Sequence, residues 1–260
     1  TRRIVLAIPG LERDWGQDVI LTDALPKEAI LAMDTARSLH KPFYLYLSHY
    51  AIHVPLEPDH RFYQKYKDQG LPESEARYAS MIEGMDKSLD DILNYVDEKG
   101  IADNTIIIFM SDNGGLSAQA RAGKPHTHNA PLNSGKGSAY EGGIREPMLV
   151  RWPGVTKAGS SCNQYIIIED FFPTILSLAN VKAAKKVQHV DGISFTGLLK
   201  NPQTKRSSRN LYWHFPNNWG PAGPGIGATS TIRSGDWKLI YYYKDARSEL
   251  FNIKDDIGEK

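Results

Sequence analysis

Asp112 and Asn113 stand side by side at the end of an aliphatic run, Thr105-Ile-Ile-Ile-Phe-Met-Ser111, and offer one carboxylate and one amide carbonyl. Such hard oxygen donors suit Ca²⁺ or Mg²⁺, yet Ca²⁺ takes about six to eight oxygens and the adjoining residues supply none of the others. Asp-Asn-Gly-Gly is also turn composition, and spacing alone favours the turn. His53, in Ala51-Ile-His-Val-Pro55, is suited to donate a hydrogen bond to an oxyanion or to protonate a leaving group, its plainer alternative being polar surface. Lys136 lies in Ser134-Gly-Lys-Gly-Ser138, where small neighbours let the backbone approach a ligand while an ammonium supplies a point charge. That stretch is not a P-loop, because Gly-x-x-x-x-Gly-Lys-Ser/Thr is unmatched. Lys124, His126 and His128 hold a two-histidine pair without further His or Cys at zinc spacing, so loop surface is the better reading.

The elements that must carry these residues follow from periodicity. Residues 23–40 place Ala24, Leu25, Ala29, Ile30, Met33 and Ala36 at helical spacing, and residues 43–48 then form a β-prone run that ends in the polar loop holding His53. A helix feeding an apolar strand is the grammar of a parallel or mixed α/β sheet. From 72 to 99 the apolar steps of three and four predict the longest helix, closed by Gly100, and 105–111 predicts a buried strand. Ligands of open α/β sheets sit at the carboxyl ends of strands, so the loops after Ser48 and Ser111 are expected to share one rim. Residues 116–146 read as a long functional loop, 148–152 as a strand, and 166–179 as a helix entered near Glu169 and Asp170. Beyond about residue 200 the pattern changes to short alternating runs, 210–215, 229–233, 237–243 and 249–253, the mark of an antiparallel meander. The expected domains are 1–204, an α/β unit, and 205–260, a small antiparallel β subdomain. Lys182, Lys185 and Lys186, and likewise Lys205, Arg206 and Arg209, flank the boundary and read as solvated loops.

Composition narrows the function classes. The chain has 260 residues, 41% hydrophobic and 23% charged, which excludes disorder, collagen and coiled coil. A formal net charge of +1 gives no field for gathering nucleic acid or an anionic membrane, so neither is an expected partner. No apolar run reaches the eighteen or so residues of a membrane helix. Cys162 is the single cysteine, which rules out an internal disulfide. The chain opens on Thr1 without an initiator Met or a signal-peptide pattern, as expected for a processed product, an internal piece or an expressed segment.

Taken in order, His53-x-Pro55, the helix with Met85-Asp86, the run 107–115 ending in Asp112-Asn-Gly-Gly115, Gly135-Lys-Gly-Ser-Ala-Tyr-Glu-Gly-Gly-Ile-Arg-Glu-Pro147 and Val150-Arg-Trp-Pro-Gly154 resemble the type I sulfatases of the alkaline-phosphatase superfamily. Arg233-Ser-Gly-Asp-Trp-Lys-Leu-Ile240 and Glu249-Leu-Phe-Asn-Ile253 resemble that family's C-terminal subdomain. The resemblance implies a partial alkaline-phosphatase-like sheet flanked by helices, followed by the antiparallel subdomain. It further implies hydrolysis of a sulfate monoester, on a sulfated carbohydrate or an aryl sulfate, at a Ca²⁺ centre by a formylglycine made from cysteine. Asp112 and Asn113 match metal ligands of the family. His53 and Lys136 match the groups that contact the sulfate ester, and the histidine assists the leaving alcohol. Glu141 and Arg145 match as well and read as a structural pair shaping the loop.

The nucleophile motif of the family, Cys/Ser-x-Pro-x-Arg, is unmatched, since Cys162 is followed by Asn163-Gln-Tyr-Ile166. The paired aspartates of the first strand and the upstream Lys and His are unmatched too. The chain is therefore expected to be the C-terminal portion of a sulfatase whose N-terminal half is truncated, cleaved or on another chain. Its Ca²⁺ site is expected to be weak or empty and the chain alone inactive. Exposed apolar surface is expected where that half packs, with a homodimer through it as one outcome. Two alternatives stand beside this reading: a phosphodiesterase or phosphonate hydrolase of the same superfamily, and a non-catalytic remnant. A periplasmic or extracellular location follows by resemblance only.

Overall fold

The computed structural model describes residues 10–17, 19–116, 129–181, 188–217 and 223–260. It divides into two compact units, one ending at Asn104 and the other running from Thr105 to Lys260. His126 and His128, and the lysines at 182, 185 and 186, lie outside the described residues.

The first unit is helical: α1 (Leu21–Ser38), α2 (His60–Asp68) and α3 (Glu73–Glu98). Helix α1 buries Ala24, Ala29 and Met33, the stripe read from the sequence, and Met33 packs with Tyr95 and Val96 of α3 against Ile30, Ile92 and Ile101. The Tyr95 hydroxyl donates to Asp34 at 2.7 Å, which keeps a buried phenol satisfied. Asp59 caps α2 by accepting from the Arg61 amide at 3.1 Å, and its own amide donates to Ser80 on α3 at 3.1 Å. Gly84 of α3 makes room for this cap, since a Cβ there would run into the Asp59 carboxylate.

The run 43–48 is not a strand. It carries no regular secondary structure, and Tyr44 and Tyr46 are 69% and 78% exposed. Its β-prone composition expresses fitness for a doubly covered strand, but a strand exists only through ladder bonds to a neighbour, and among the described residues none pairs with it.

In the second unit β1 (Ile107–Met110) pairs antiparallel with β2 (Met148–Arg151), Ile107 opposite Arg151 and Met110 opposite Met148. The parallel or mixed pairing expected of this region is thus replaced, among the described residues, by one antiparallel pair. A 3₁₀ turn (Ile168–Asp170) leads into α5 (Phe171–Leu178), followed by α6 (Thr196–Lys200). The helix expected from 166 therefore starts at Phe171. Asp170 ends the turn and accepts from the amides of Ile167 (3.2 Å) and Ile193 (2.7 Å).

Strands β3 (Asn210–Phe215), β4 (Thr229–Ser234), β5 (Trp237–Tyr242) and β6 (Arg247–Asn252) form the antiparallel meander in sequence order. Ser234 pairs with Trp237 across a two-residue turn in which Gly235 takes φ 58°, the left-handed value that such a hairpin asks of glycine. Alternation turns Lys238, Ile240 and Tyr242 of β5 inward, where Ile240 and Tyr242 pack with Ala139, Tyr140 and Phe251. The helices and the small antiparallel sheets of the described residues give the mixed α/β architecture anticipated from the sequence. No helix of the described residues is long and apolar enough to cross a membrane.

Two of the lysine and arginine residues read as solvated are not. Arg209 makes a two-pronged ion pair with the fully buried Asp170, with one contact at 2.9 Å, and Arg206 donates to the Ile193 carbonyl at 2.8 Å. A charge run cannot reveal that a buried carboxylate waits for it.

Candidate active site

Strand β1 ends at Met110, two residues before Asp112. The Ser111 amide reaches the Pro147 carbonyl at 3.4 Å, and its hydroxyl donates to the Asn113 carbonyl at 2.8 Å, turning the chain sharply at the strand end. Asp112 is exposed, and among the described residues no hydrogen bond or ion pair engages its carboxylate. The Asn113 amide group donates to the Gly114 carbonyl at 3.1 Å, and among the described residues no group donates to its side-chain oxygen.

The loop is backed by α4 (Glu141–Ile144). The Gly114 amide donates to the Gly143 carbonyl at 3.1 Å, and the Gly142 amide to the Asn133 carbonyl at 2.9 Å. A Cβ on Gly114 would collide with the Gly142 carbonyl, and one on Gly143 with the carbonyls of Ser138 and Gly135. These glycines are needed because backbone meets backbone. Gly114→Ala is therefore expected to cost about 1–3 kcal/mol, seen as a lower thermal midpoint of the purified chain. An unchanged midpoint would show that the loop yields freely.

Lys136 joins the same cluster through its backbone: its amide donates to the Gly115 carbonyl at 2.9 Å, and Asn129 donates to that carbonyl (3.0 Å) and to the Ser134 carbonyl (2.9 Å). Asn129 is a positioning residue that patterns of sequence do not single out. His53 belongs to the first unit. It is exposed, its Nδ1 lies 2.8 Å from the Val54 carbonyl, and its ring is 5.4 Å from that of Tyr50. Since a carbonyl only accepts, this contact puts the proton of a neutral ring on Nδ1 and leaves Nε2 as the outward nitrogen.

Glu146 is the residue that sequence reasoning overlooked. Its Oε2 is buried without a hydrogen-bond partner among the described residues, and burial, with the charge of Asp112 second, pushes its carboxyl up to about 8. The signal was available in the strand pairing: carrying the β1–β2 register two residues further sets Glu146 opposite Asp112. Among the described residues no group of three or more His, Cys, Asp or Glu forms a ready metal site.

Glu141 and Arg145 do approach, at 3.8 Å, but the stronger partner of Glu141 is Lys238, at 3.1 Å, with Arg233 at 3.5 Å. The loop is thus tied to the C-terminal sheet more firmly than to its own helix end.

This fold and loop cluster define a class. The family model described as Sulfatase matches residues 14–181, and that described as N-sulphoglucosamine sulphohydrolase, C-terminal, matches 135–260. The chain belongs to the sulfatase family, type I, of the alkaline-phosphatase superfamily. A sulfatase of Formosa agariphila is 32% identical over 92% of this chain and 45% of that protein. Arylsulfatase J of Mus musculus is 32% identical over 77% of this chain and 34% of its own length. The crystal structure of Ps i-CgsB in complex with k-i-k-neocarrahexaose superposes with a TM-score of 0.76 at 30% identity, over 94% of this chain and 52% of that one. The chain spans less than half the length of these curated relatives.

Proposed function

We propose that this chain supplies part of a centre that hydrolyses sulfate monoesters, with sulfated carbohydrate as the substrate class. The observation that carries the reading is the loop after β1. It presents an Asp112 carboxylate that no described residue engages and the Asn113 side-chain oxygen beside the Gly-Lys136-Gly turn, in a chain of the sulfatase family. The carbohydrate class is suggested by the solved neighbour held in complex with a neocarrahexaose. With relatives named as sulfatases, a phosphodiesterase reading is not favoured.

Asp112 and Asn113 would hold Ca²⁺, and the donor chemistry fits: both offer hard oxygens, and a buried Glu146 side-chain oxygen close by has no hydrogen-bond partner among the described residues. When bound, such an ion supplies positive charge to the sulfate oxygens. The roles of this chain's own groups are positional and protonic. The Lys136 ammonium would hold a sulfuryl oxygen, while His53, which belongs to the first unit, is assigned its part by the family resemblance alone: its Nε2, when protonated, would donate to the departing alcohol oxygen. The covalent nucleophile comes from outside these 260 residues, which hold no Cys/Ser-x-Pro-x-Arg.

The chain alone is expected to leave 4-nitrophenyl sulfate intact in millimolar Ca²⁺. Combined with the N-terminal portion of a sulfatase that carries the nucleophile motif, and matured in a host that makes formylglycine, it is expected to yield nitrophenol, with His53→Ala strongly impaired. Turnover by the chain alone, lost in Asp112→Ala, would place the nucleophile within these residues and overturn the division of labour.

A further inference from the structure

The inward face of β5 contains a residue that packing alone would not select. Lys238 is fully buried between positions whose neighbours Ile240 and Tyr242 already fill the sheet's core, and its ammonium donates to Glu141 at 3.1 Å and to Glu259 at 2.8 Å. Glu259 in turn accepts from the Glu141 amide at 2.6 Å, closing a ring of three buried groups, with Arg233 as the second cation beside Glu141 at 3.5 Å. Burying such ions costs several kcal/mol each, which hydrophobic side chains of the same volume would avoid, so stability is a poor reason for their presence. Geometry supplies a better one. Glu141 starts α4, a helix of four residues with two glycines, too short to hold itself in place. The ring grips its first residue by side chain and by backbone amide, while the Gly143 carbonyl, two residues on, receives the Gly114 amide behind Asn113.

We propose that Lys238 and Glu259 are positioning residues for the candidate site: through Glu141 and α4 they hold the Asp112 to Gly115 loop at the angle set by the C-terminal sheet. The sheet then acts as the rigid frame of the loop, and its significance for catalysis rests on the function proposed above. Neither residue touches substrate or metal.

Hydrogen exchange by NMR on the 260-residue chain tests this without substrate or metal. In Lys238→Met the Gly114 amide is expected to exchange about tenfold faster or more, while the β3–β4 ladder amides keep their protection. Glu259→Ala is expected to act likewise, and Glu259→Gln, which keeps an acceptor for the Glu141 amide, to restore most of the protection. Should Lys238→Met not fold, the Glu259 pair gives the same answer. Unchanged Gly114 exchange overturns the proposal, as does a uniform loss across the sheet or equal damage from Gln and Ala. Because exchange is independent of turnover, a silent sulfatase assay beside a shifted Gly114 amide would count against the proposed function and leave the positioning role intact.

Discussion

Lys136→Ala is expected to lower kcat/KM for an aryl sulfate ester by about 10²–10³ in the enzyme reconstituted from this chain and a nucleophile-bearing N-terminal portion. Charge builds on the sulfuryl oxygens and the leaving oxygen as the ester breaks, and a positioned ammonium stabilises that charge more than it does the ground state. The loss should fall mainly on kcat. Lys136→Arg is not expected to restore it, because the small residues on either side shape the turn for a point charge, and a planar guanidinium presents its donors differently. The backbone bond from residue 136 to Gly115 survives both substitutions, so the melting temperature should stay put. Steady-state kinetics with 4-nitrophenyl sulfate and a thermal melt on each variant decide the matter. A change of only a few-fold in kcat/KM would remove Lys136 from the reacting centre.

The largest stability loss is expected from Asp170→Ala, about 3–5 kcal/mol. Its carboxylate is fully buried, accepts from two backbone amides, and pairs with Arg209, with Arg206 at 3.7 Å. Truncation strands the Ile167 and Ile193 amides and leaves guanidinium charge half-buried without its counter-ion. For a unit of this size the midpoint should drop by roughly 10 °C. Asp170→Asn, which keeps one acceptor but loses the charge, should fall between alanine and the native residue. A drop of no more than a degree or two for alanine would mean that water replaces the carboxylate at little cost.

Much of the architecture is legible in residue order because it is set locally. The stripe Ala24, Ala29, Met33 determines the buried face of α1, since a helix buries one face at a period of 3.6; the steps from Tyr78 to Val96 mark α3 as a helix, although Ser80, Gly84 and Ser88 share its buried face while Ile82 and Leu93 are exposed. The alternation along 229–252 determines the meander to within two residues, because strands joined by tight turns pair with their neighbours and a one-residue slip would turn Lys238 and Ile240 outward. The turn character of Asp112-Asn-Gly-Gly and the motif around Lys136 were likewise readable, as short patterns tied to backbone geometry.

What the order of residues could not decide is which distant groups meet. The run 43–48 has strand composition, yet strandhood depends on a partner that local propensity does not supply. Arg209 and Arg206 look like solvent-facing charge until Asp170 is placed beside them, and Glu146 looks like a loop acid until the β1–β2 register sets it against Asp112. Lys238, Glu141 and Glu259 are ordinary charged residues along the chain and become one buried ring only in three dimensions. Most of the elements, the turns and the family are legible in residue order, because those depend on short-range sterics and periodic burial. Ion pairing and the backing of the candidate site come from contacts between distant segments, because the energy of a buried charge depends on what lies within a few ångströms of it and not on what lies next to it in the chain.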